Sequence, residues 1–482
     1  MWKLLVPILL AGAIADGGRA QSVTIPSTRA DQTKVDGRVP PLDAASPGLI
    51  GRGVNFGNML EAPNEGEWGL TVRADFFDRV VEAGFEHIRL PVSWTTHAGL
   101  APPYTIDPVF LNRVDWCIDQ ALARGLKIIV NVHHYDALNA NPVAEKPRAL
   151  AIWNQIATRM RTRPQSVYFE VLNEPHGVFN DNPALWNDYL RDALQVIRTT
   201  NPPRWVLAGP VGWNSIGYLN AFSPPADRRL IATLHYYEPF AFTHQGATWV
   251  DPVPPTGVSW NPALFTIAGP WESWSWETTL QPSATGLSVE YKNGWAGLSF
   301  HRGPAISGVR RVEFRTDRAM QFKVTVSGSG KEQDFWLQSA GGNALSTVSV
   351  PEGFGPIDRI TWQNATPAAQ APFIMSKTEV FTSASGGRAE PIIVNQRGNI
   401  DRAMAWIAEW SRLRGMPAHL GEFGAFSAGG MNDRAAWTRA VRESAEAHGI
   451  PWSYWEFASG FGIYDPQANT WRAPLLEALT GE

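Results

Sequence analysis

Eight short apolar runs, most of them followed by a helical pattern, constrain the fold of this chain more than any other feature. The runs predict strands at residues 53–56, 87–90, 127–132, 167–172, 205–208, 230–234, 418–421 and 452–455. Apolar spacing predicts helices at residues 74–83, 108–124, 146–161, 182–199, 399–414 and 431–447, with weaker helical patterns at 213–219 and 474–479. Strands that alternate with helices pair in parallel, and eight such units predict an α/β fold, the (β/α)₈ TIM barrel.

The interval at residues 235–398 breaks this rhythm. In its body Val312 and Phe314 alternate with Arg311, Glu313 and Arg315, which is the period of a strand with one solvated face. Gly/Ser turns separate further short strands of this kind. We predict an all-β sandwich at residues 271–382, inserted in the sixth βα loop of a barrel that covers residues 48–270 and 383–482. Because βα loops lie at the carboxyl ends of the strands, the sandwich should overhang that face.

The amino terminus predicts an exported protein. A basic start, a short apolar run and small residues at positions 1–20 are typical of a secretory signal peptide. Residues 21–47 are polar and predict a linker or an N-terminal extension. We therefore expect the protein to be secreted, in an extracellular or periplasmic location. The single cysteine, Cys117, excludes an internal disulfide.

The composition limits the kinds of molecule that the protein is expected to bind. The 482-residue chain is 44% hydrophobic and 18% charged, as expected for a globular protein, and its net charge is -4. This charge gives no electrostatic reason to bind nucleic acid or an anionic membrane. Its 22 tryptophans are unusual, and flat indole faces are surfaces on which sugar rings stack. We expect a monomer that acts on a carbohydrate.

Two glutamates follow buried strands and are the strongest candidates for chemistry. Glu174 lies in Val171-Leu-Asn-Glu-Pro175 and Glu422 in His419-Leu-Gly-Glu-Phe-Gly424. Carboxylates at the carboxyl ends of two barrel strands could cleave a glycosidic bond, with one as acid and the other as nucleophile. The alternative is that each glutamate caps the next helix or pairs with a surface arginine.

Six further polar or aromatic residues fall at predicted strand ends: Arg89, His133, Asn173, His235, Tyr237 and Trp455. Collecting such residues from several strands is how a barrel builds one site. Arg89 and a tyrosine hydroxyl near Glu422 would keep that carboxylate charged, Asn173 could bond a sugar 2-hydroxyl, and Trp455 offers a stacking face. Individually, Arg89 could equally form a structural ion pair inside the barrel, and His133 could be a core histidine.

These motifs together resemble glycoside hydrolase family 5, the cellulase family. The resemblance rests on Leu172-Asn-Glu-Pro175, Leu234-His-Tyr-Tyr-Glu-Pro239, His87-Ile-Arg-Leu-Pro-Val-Ser-Trp94 and Leu420-Gly-Glu-Phe-Gly424, and it runs from Gly51 to the C-terminus without the insert. The segment from Ala241 to Trp249 resembles the sixth-strand loop of endoglucanase-like members. The insert is similar in character to a carbohydrate-binding module.

The resemblance implies roles for the residues named above. It makes Glu174 the acid/base and Glu422 the nucleophile of a retaining enzyme. It assigns the −1 subsite, where the cleaved sugar binds, to Arg89, His133, Asn173, His235, Tyr237 and Trp455, with His134 as the alternative to His133. The substrate would be a β-1,4-linked, cellulose-like or mixed-linkage glucan. The alternatives are a β-1,3-glucanase, a mannanase or a xyloglucanase on the same site, or a non-catalytic glycan-binding protein.

Other candidate motifs have simpler interpretations. Gly51-Arg-Gly-Val-Asn-Phe-Gly57 misses the dinucleotide-binding spacing by one residue, and we expect it to turn Asn55 and Asn58 into the cleft. His133 and His134 are adjacent and lack the spacing of a helical zinc site. The chemistry predicted for the two glutamates, proton transfer and displacement by carboxylates, needs neither a metal nor an organic cofactor. Six insert tryptophans could fill its core or bind glycan: Trp271, Trp274, Trp276, Trp295, Trp336 and Trp362.

Overall fold

The first half of the chain builds most of a barrel. A computed structural model describes residues 50–382 and 389–481, so the predicted signal peptide and linker lie outside the described residues. Six parallel strands come first, namely β1 (Arg52–Asn55), β2 (His87–Leu90), β3 (Lys127–Asn131), β4 (Val167–Glu170), β5 (Val206–Ala208) and β6 (Leu230–His235). The helices among and after them are α1 (Ala74–Glu82), α2 (Pro108–Ala123), α3 (Asp136–Ala140), α4 (Pro142–Arg159), α5 (Val178–Asp181), α6 (Pro183–Thr200), α7 (Val211–Asn214) and α8 (Phe240–Thr243), with 3₁₀ turns at Trp94–His97 and Ile216–Tyr218.

Twelve strands lie in the described part of the interval after β6. They are β7 (Phe265–Ile267), β8 (Trp271–Ser273), β9 (Thr278–Ser283), β10 (Gly286–Tyr291), β11 (Gly297–Ile306), β12 (Arg311–Thr316), β13 (Gln321–Gly328), β14 (Lys331–Gln338), β15 (Leu345–Ser349), β16 (Ile357–Asn364), β17 (Gln370–Phe381) and β18 (Ala389–Asn395). One sheet runs β15-β12-β17-β10-β9, with β18 paired to β17 and β7 paired to β18. The other runs β14-β13-β16-β11-β8. Apolar side chains of both sheets share one core, as the edge-to-face contact of Phe314 with Trp362 illustrates.

The last segment closes the barrel. It comprises α9 (Gln396–Arg414), β19 (Ala418–Glu422), α10 (Met431–Ala447), β20 (Trp452–Tyr454), β21 (Tyr464–Asp465), β22 (Thr470–Trp471) and α11 (Ala473–Thr480). Strands pair in the order β1-β2-β3-β4-β5-β6-β19-β20, and β20 returns to β1. The predicted TIM barrel is therefore confirmed. Within the described residues, no helix combines the length and the apolar surface that crossing a bilayer requires.

Two helices begin earlier than the apolar spacing predicts, because an asparagine caps the first turn of each. Helix α4 begins at Pro142, four residues before the predicted start, because the Asn141 side chain accepts a hydrogen bond from Ala144 N–H and caps the first turn. Helix α9 begins at Gln396, where Asn395 caps Gly398 in the same way. The weak helical pattern at residues 213–219 is not a continuous helix. Gly212, Trp213 and Asn214 all have positive φ angles there, which breaks the helix.

Alternation along the barrel strands separates two environments. Ile128 and Val130 of β3 join the large core between the strands and the helices, whereas Ile129 belongs to a smaller cluster of inward positions. The other members of the inner cluster are Ile50, Tyr168, Leu207 and Ile231. Inward positions near the carboxyl ends of β2 and β4 are instead polar, namely Arg89 and Glu170, and both are fully buried. This polar layer is the floor of the site described below.

The sandwich joins the barrel through a two-stranded stem. Strands β7 and β18 pair antiparallel, with Ile267 opposite Ile393, just before α9 begins. Both strands lie outside the predicted limits of 271–382. Strand β7 was not predicted because it has three residues and lies between Pro262 and Pro270, so its sequence resembles a loop. Asn399 Nδ2 of α9 donates to Ile267 O (3.1 Å), which attaches the stem to the barrel. That the sandwich overhangs the cleft stays a prediction.

The separate cores predict that the barrel folds without the sandwich. Trp271 Nε1 donates to Glu390 Oε1 (3.0 Å) across the top of the stem, so a short Gly/Ser linker could replace residues 272–389. We expect this variant to unfold in one cooperative thermal transition with the helical circular dichroism of the barrel. An insoluble chain, or one without a thermal transition, would show that the barrel depends on the sandwich for folding.

Candidate active site

Two carboxylates lie close together at the carboxyl ends of opposite parts of the barrel wall. Glu422 is the last residue of β19, and Glu174 follows β4. Carboxylate oxygens of Glu174 and Glu422 and a ring nitrogen of His235 all lie within 4.8 Å of one another. Gly421, the residue before Glu422, allows β19 to lie close to β6, because a Cβ there would lie 2.5 Å from Thr233 Oγ1. The two glutamates predicted from sequence are thus brought into one site.

Glu422 is buried and strongly hydrogen-bonded. Arg89 Nη1 donates to Glu422 Oε1 (2.6 Å), and the Tyr237 hydroxyl donates to Glu422 Oε2 (2.9 Å). Burial raises the pKa of Glu422, while the nearby His235 and Arg89 and the Tyr237 hydrogen bond lower it. These partners stabilise the ionised carboxylate against the cost of removing it from water.

Glu174 has a different environment. Its side chain keeps 25% of its surface exposed, and its Oε1 accepts a hydrogen bond from His235 Nδ1 (2.6 Å). Burial raises the pKa of Glu174 to about 7, and the charges of His176 and Arg89 oppose that rise. Glu174 can therefore carry a proton near neutral pH and still exchange it. Glu422 accepts hydrogen bonds from both Arg89 and Tyr237, so the pair divides into a proton donor and a carboxylate.

His235 links the two glutamates as a neutral ring. Burial lowers its pKa to about 4. Asn214 Nδ2 donates both to the backbone oxygen of Asn173 and to His235 Nε2 (3.2 Å), so Nε2 is an acceptor and Nδ1 carries the proton. That proton points to Glu174, with Glu422 Oε2 at 3.5 Å from the same nitrogen.

Arg89 is the centre of the polar floor. Its Nε and Nη2 donate to the two oxygens of Glu170, each at 2.7 Å. Nη1 also donates to Asn55 Oδ1 (2.8 Å), and Nη2 donates to Asn173 Oδ1 (2.5 Å). The guanidinium is fully buried, so its planar fork fixes the positions of Glu170, Asn173 and Glu422 at once.

The position of Asn55 differs from the prediction. It does not face an open cleft, because it is fully buried and its Nδ2 donates to the backbone oxygens of Gly421 (3.0 Å) and Tyr454 (3.1 Å). Asn58 lies in the turn after β1 with a φ of 63°, and its N–H donates to buried Glu61. Its neighbour Gly57 packs so tightly on the Trp455 ring that a Cβ would lie 2.9 Å from it. It is thus Gly57, the residue before Asn58, that lies against Trp455.

The histidine doublet separates into an inner and an outer member. His133 is buried and stacks on Trp455, with ring centroids 5.6 Å apart and planes 7° apart. Its Nδ1 lies 3.0 Å from Asn131 Nδ2. His134 is exposed and meets the edge of Trp68 at 5.9 Å. The structure therefore places His133, and not His134, against Trp455.

Aromatic rings continue outward from the two glutamates. Trp249 is 49% exposed and meets the edge of Phe426 at 4.8 Å. His244 connects it to the centre, with ring centroids 6.4 Å from Trp249 and 4.9 Å from Tyr237. On the Glu174 side, half-exposed Trp213 stacks on His176 at 5.0 Å. Flat, partly exposed rings on both sides of a carboxylate pair suit an extended chain of sugar rings.

Several residues of this site were not predicted from the sequence, among them Glu170, Asn214 and Trp213. Glu170 had a readable signal, because Phe169 and Val171 face the helices and alternation turns Glu170 inward. Asn214 and Trp213 lie in the turn after β5 with positive φ angles, where the helical pattern gave no indication of their direction.

Comparisons with known proteins show which family the chain resembles. A family model described as cellulase (glycosyl hydrolase family 5) matches residues 51–265. Endoglucanase H of Acetivibrio thermocellus is 40% identical over 201 residues, which are 42% of this chain and 22% of that protein. Endoglucanase A of Paenibacillus barcinonensis is 29% identical over 252 residues, 42% of this chain and 62% of that protein. The chain thus spans less than two thirds of the length of both curated relatives.

A solved structure extends the match beyond the family model. Thermotoga maritima Cel5A, crystallised with mannotriose, is 30% identical with a TM-score of 0.60, and the match covers 89% of this chain and 97% of that one. The shared barrel and the matching family model lead to one conclusion: the chain belongs to glycosyl hydrolase family 5, the cellulase family.

Proposed function

We propose that the protein is a secreted, retaining endo-β-1,4-glucanase that cleaves cellulose-like or mixed-linkage β-glucan. The observation that supports this most is the pair of carboxylates with oxygens within 4.8 Å, one bonded by Arg89 and Tyr237 and the other by His235. Retaining glycosidases place their two carboxyl groups about 5–5.5 Å apart, whereas inverting enzymes need a larger gap for a water.

In the first step Glu422 attacks the anomeric carbon of the sugar. The bond between that carbon and the bridging oxygen breaks, and Glu174 gives its proton to the departing oxygen. The product is a covalent ester between the sugar and Glu422. Arg89 and the Tyr237 hydroxyl orient the attacking oxygens, while a pKa of about 7 lets Glu174 donate a proton at neutral pH.

In the second step water replaces the first product. Ionised Glu174 now takes a proton from that water, whose oxygen attacks the anomeric carbon and releases Glu422. Two displacements leave the anomeric configuration unchanged. The neutral His235 donates to Glu174 throughout, so it can steady the carboxylate as its charge alternates. Asn173 uses its Oδ1 on Arg89, which leaves its amide nitrogen for a sugar hydroxyl.

Glucan is the substrate class that the relatives favour. The curated relatives are named endoglucanases, and Thermotoga maritima Cel5A has been crystallised with both cellobiose and mannotriose. The rings at Trp249, Trp213 and Trp455 would stack on a chain that continues beyond the cleaved bond. Secretion rests on the signal-like sequence at residues 1–20.

Product analysis on a polysaccharide panel tests this proposal. We expect barley mixed-linkage glucan and soluble cellulose to lose viscosity early and to yield a mixture of oligosaccharides, with laminarin, mannan and xyloglucan cleaved more slowly. NMR of the first product should show the retained anomer. Faster cleavage of mannan, laminarin or xyloglucan would reassign the substrate, an inverted product would exclude double displacement, and glycan binding without cleavage would make the protein a binding module.

The Tyr237 hydroxyl predicts a shift in pH dependence. Its hydrogen bond favours the ionised form of Glu422, so Tyr237→Phe should raise the pKa of Glu422. The acid limb of the kcat/KM profile should then move to higher pH. Tyr236→Phe is the matched control, because Tyr236 turns away from the site and stacks on Trp437. An acid limb that moves equally in both variants, or in neither, would remove Tyr237 from this role.

A further inference from the structure

The insert tryptophans divide into buried and exposed groups. Trp271 and Trp362 are 2% and 0% exposed and belong to the sandwich core. By contrast, Trp274, Trp276, Trp295 and Trp336 are 43%, 43%, 49% and 63% exposed, and Trp274 stacks on His301 with ring centroids 3.9 Å apart. Exposed indole rings leave apolar surface in water, which is unfavourable, and rings grouped on one surface mark a binding site more than single scattered ones do. The exposed group therefore calls for a function other than packing.

The exposed rings lie on the outer face of the five-stranded sheet. A register row crosses that sheet through Gly297, Gln363, Lys323 and Trp336 of neighbouring strands. The Trp276 ring covers Gly297 so closely that a Cβ there would lie 2.3 Å from it. Since strands lie about 4.8 Å apart, the row from Gly297 to Trp336 spans about 14 Å, enough for an oligosaccharide.

The rings are held in place before any ligand arrives. Trp276 Nε1 donates to the backbone oxygen of Trp295 (3.0 Å), and Gln363 Nε2 donates to the same oxygen (2.9 Å). Trp295 and Trp336 meet edge to face at 6.0 Å. Side chains fixed in this way lose little conformational entropy on binding, which favours affinity.

The charges on this face are paired with one another. Lys323 Nζ lies 3.2 Å from Asp334 Oδ2, and Arg359 Nη2 lies 2.6 Å from Glu332 Oε1. Thr325 also donates to Asp334 (2.6 Å). A face of paired charges complements a neutral ligand better than an anionic one. Indole rings offer flat apolar surfaces, and the surrounding polar groups can bond hydroxyls, as a neutral sugar chain requires.

We propose that this surface, the tryptophan face formed by Trp276, Trp295, Trp336, Lys323 and Gln363, is a second glycan-binding site that binds neutral β-glucan. Its five residues all belong to the sandwich, whereas Glu174, Glu422 and their partners belong to the barrel. The choice of glucan rests on the proposed function, whereas the choice of a neutral glycan rests on the face itself.

Affinity electrophoresis in native gels that contain barley mixed-linkage glucan tests the proposal. Glu422→Gln in the full chain serves as the parent, because it leaves the polysaccharide intact during the run. Adding Trp276→Ala and Trp336→Ala should raise the dissociation constant of the parent about tenfold, equivalent to about 1.4 kcal/mol. Leu345→Ala is the matched control, because Leu345 is 41% exposed on the edge of the other sheet. Thermal unfolding of each variant checks that the sandwich remains folded.

Three outcomes would overturn the proposal. Equal retardation of the parent and the double tryptophan variant would show that the face does not bind. Complete loss of retardation on adding Trp455→Ala to the parent would place all binding in the cleft. Stronger retardation by polygalacturonate than by glucan, dependent on the same tryptophans, would contradict a neutral ligand. If the wild-type chain cleaves no glucan but tryptophan-dependent retardation persists, the proposed function fails and the second site stands.

Discussion

Glu422→Gln should reduce kcat on every substrate by about 10⁴-fold or more, because an amide cannot displace the leaving group and no glycosyl ester can form. The change removes a charge and keeps the shape, and Arg89 and Tyr237 remain in place beside it. The measurement is the steady-state rate on barley glucan and on an aryl cellobioside.

Glu174→Gln should lose activity in a substrate-dependent way. On glucan the loss should be large, because the departing oxygen needs a proton. On an aryl cellobioside with an acidic phenol the first step needs little protonation, so ester formation should survive, and added azide should accelerate the second step. Rescue of Glu422→Gln, and not of Glu174→Gln, under these conditions would reverse the two roles.

Glu238→Gln provides a matched control for both variants. Burial raises the pKa of Glu238 to about 7, yet its Oε2 accepts from Phe240 N–H (3.2 Å) in the loop after β6 and does not join the carboxylate pair. We expect it to retain activity. A loss as large as that of Glu422→Gln would mean that any buried carboxylate near β6 is essential, and it would weaken the assignment.

Arg89→Met should lower the free energy of unfolding by about 3–5 kcal/mol at neutral pH, since it leaves Glu170 and Glu422 buried without their cation. The carboxyl pKa of Glu422, which burial already raises, would then rise further above that of the unfolded chain. A raised folded pKa contributes stability below the unfolded value and loses it as pH rises. The deficit of the variant should therefore be smaller near pH 4 than near pH 8, as measured by urea unfolding.

Two further variants distinguish the loss of charge from the loss of packing as the cause of the lower stability. Arg89→Met with Glu170→Gln removes one unpaired carboxylate and should recover part of the lost stability at pH 8. Arg204 is a second buried arginine, but it donates to the backbone oxygens of Met160, Val167 and other residues and not to a carboxylate. Arg204→Met should destabilise equally at both pH values. A pH-independent deficit in Arg89→Met would show that packing, and not charge, explains its effect.

Sequence reasoning located the barrel and both glutamates because periodicity and strand ends are local signals. Each barrel strand alternates or continues apolar residues over several positions, and Glu174 and Glu422 follow such runs directly. The position of Glu170 could also have been deduced, because it continues the inward alternation of β4. Its partner could not, since the pairing with Arg89 depends on barrel closure.

Other features depend on three-dimensional packing and have no signal in the local sequence. The choice between His133 and His134 required the position of Trp455, which comes from the last strand. Which insert tryptophans are buried and which are exposed depends on the sheet register. Trp362 and Trp336 both lie in strands whose side chains alternate between two faces, and the seven-stranded sheet covers the face that carries Trp362. Strand β7 was too short to distinguish from a loop.

The stem of β7 and β18 gives the sandwich two covalent connections to the barrel. An accessory domain joined at one terminus is lost when a protease cuts its single linker. Here a cut in the chain between β6 and β7 would leave the sandwich attached through β18, which continues directly into α9. A protease would need two cuts to release it. The barrel and the sandwich should therefore remain at a constant ratio of one to one during limited proteolysis.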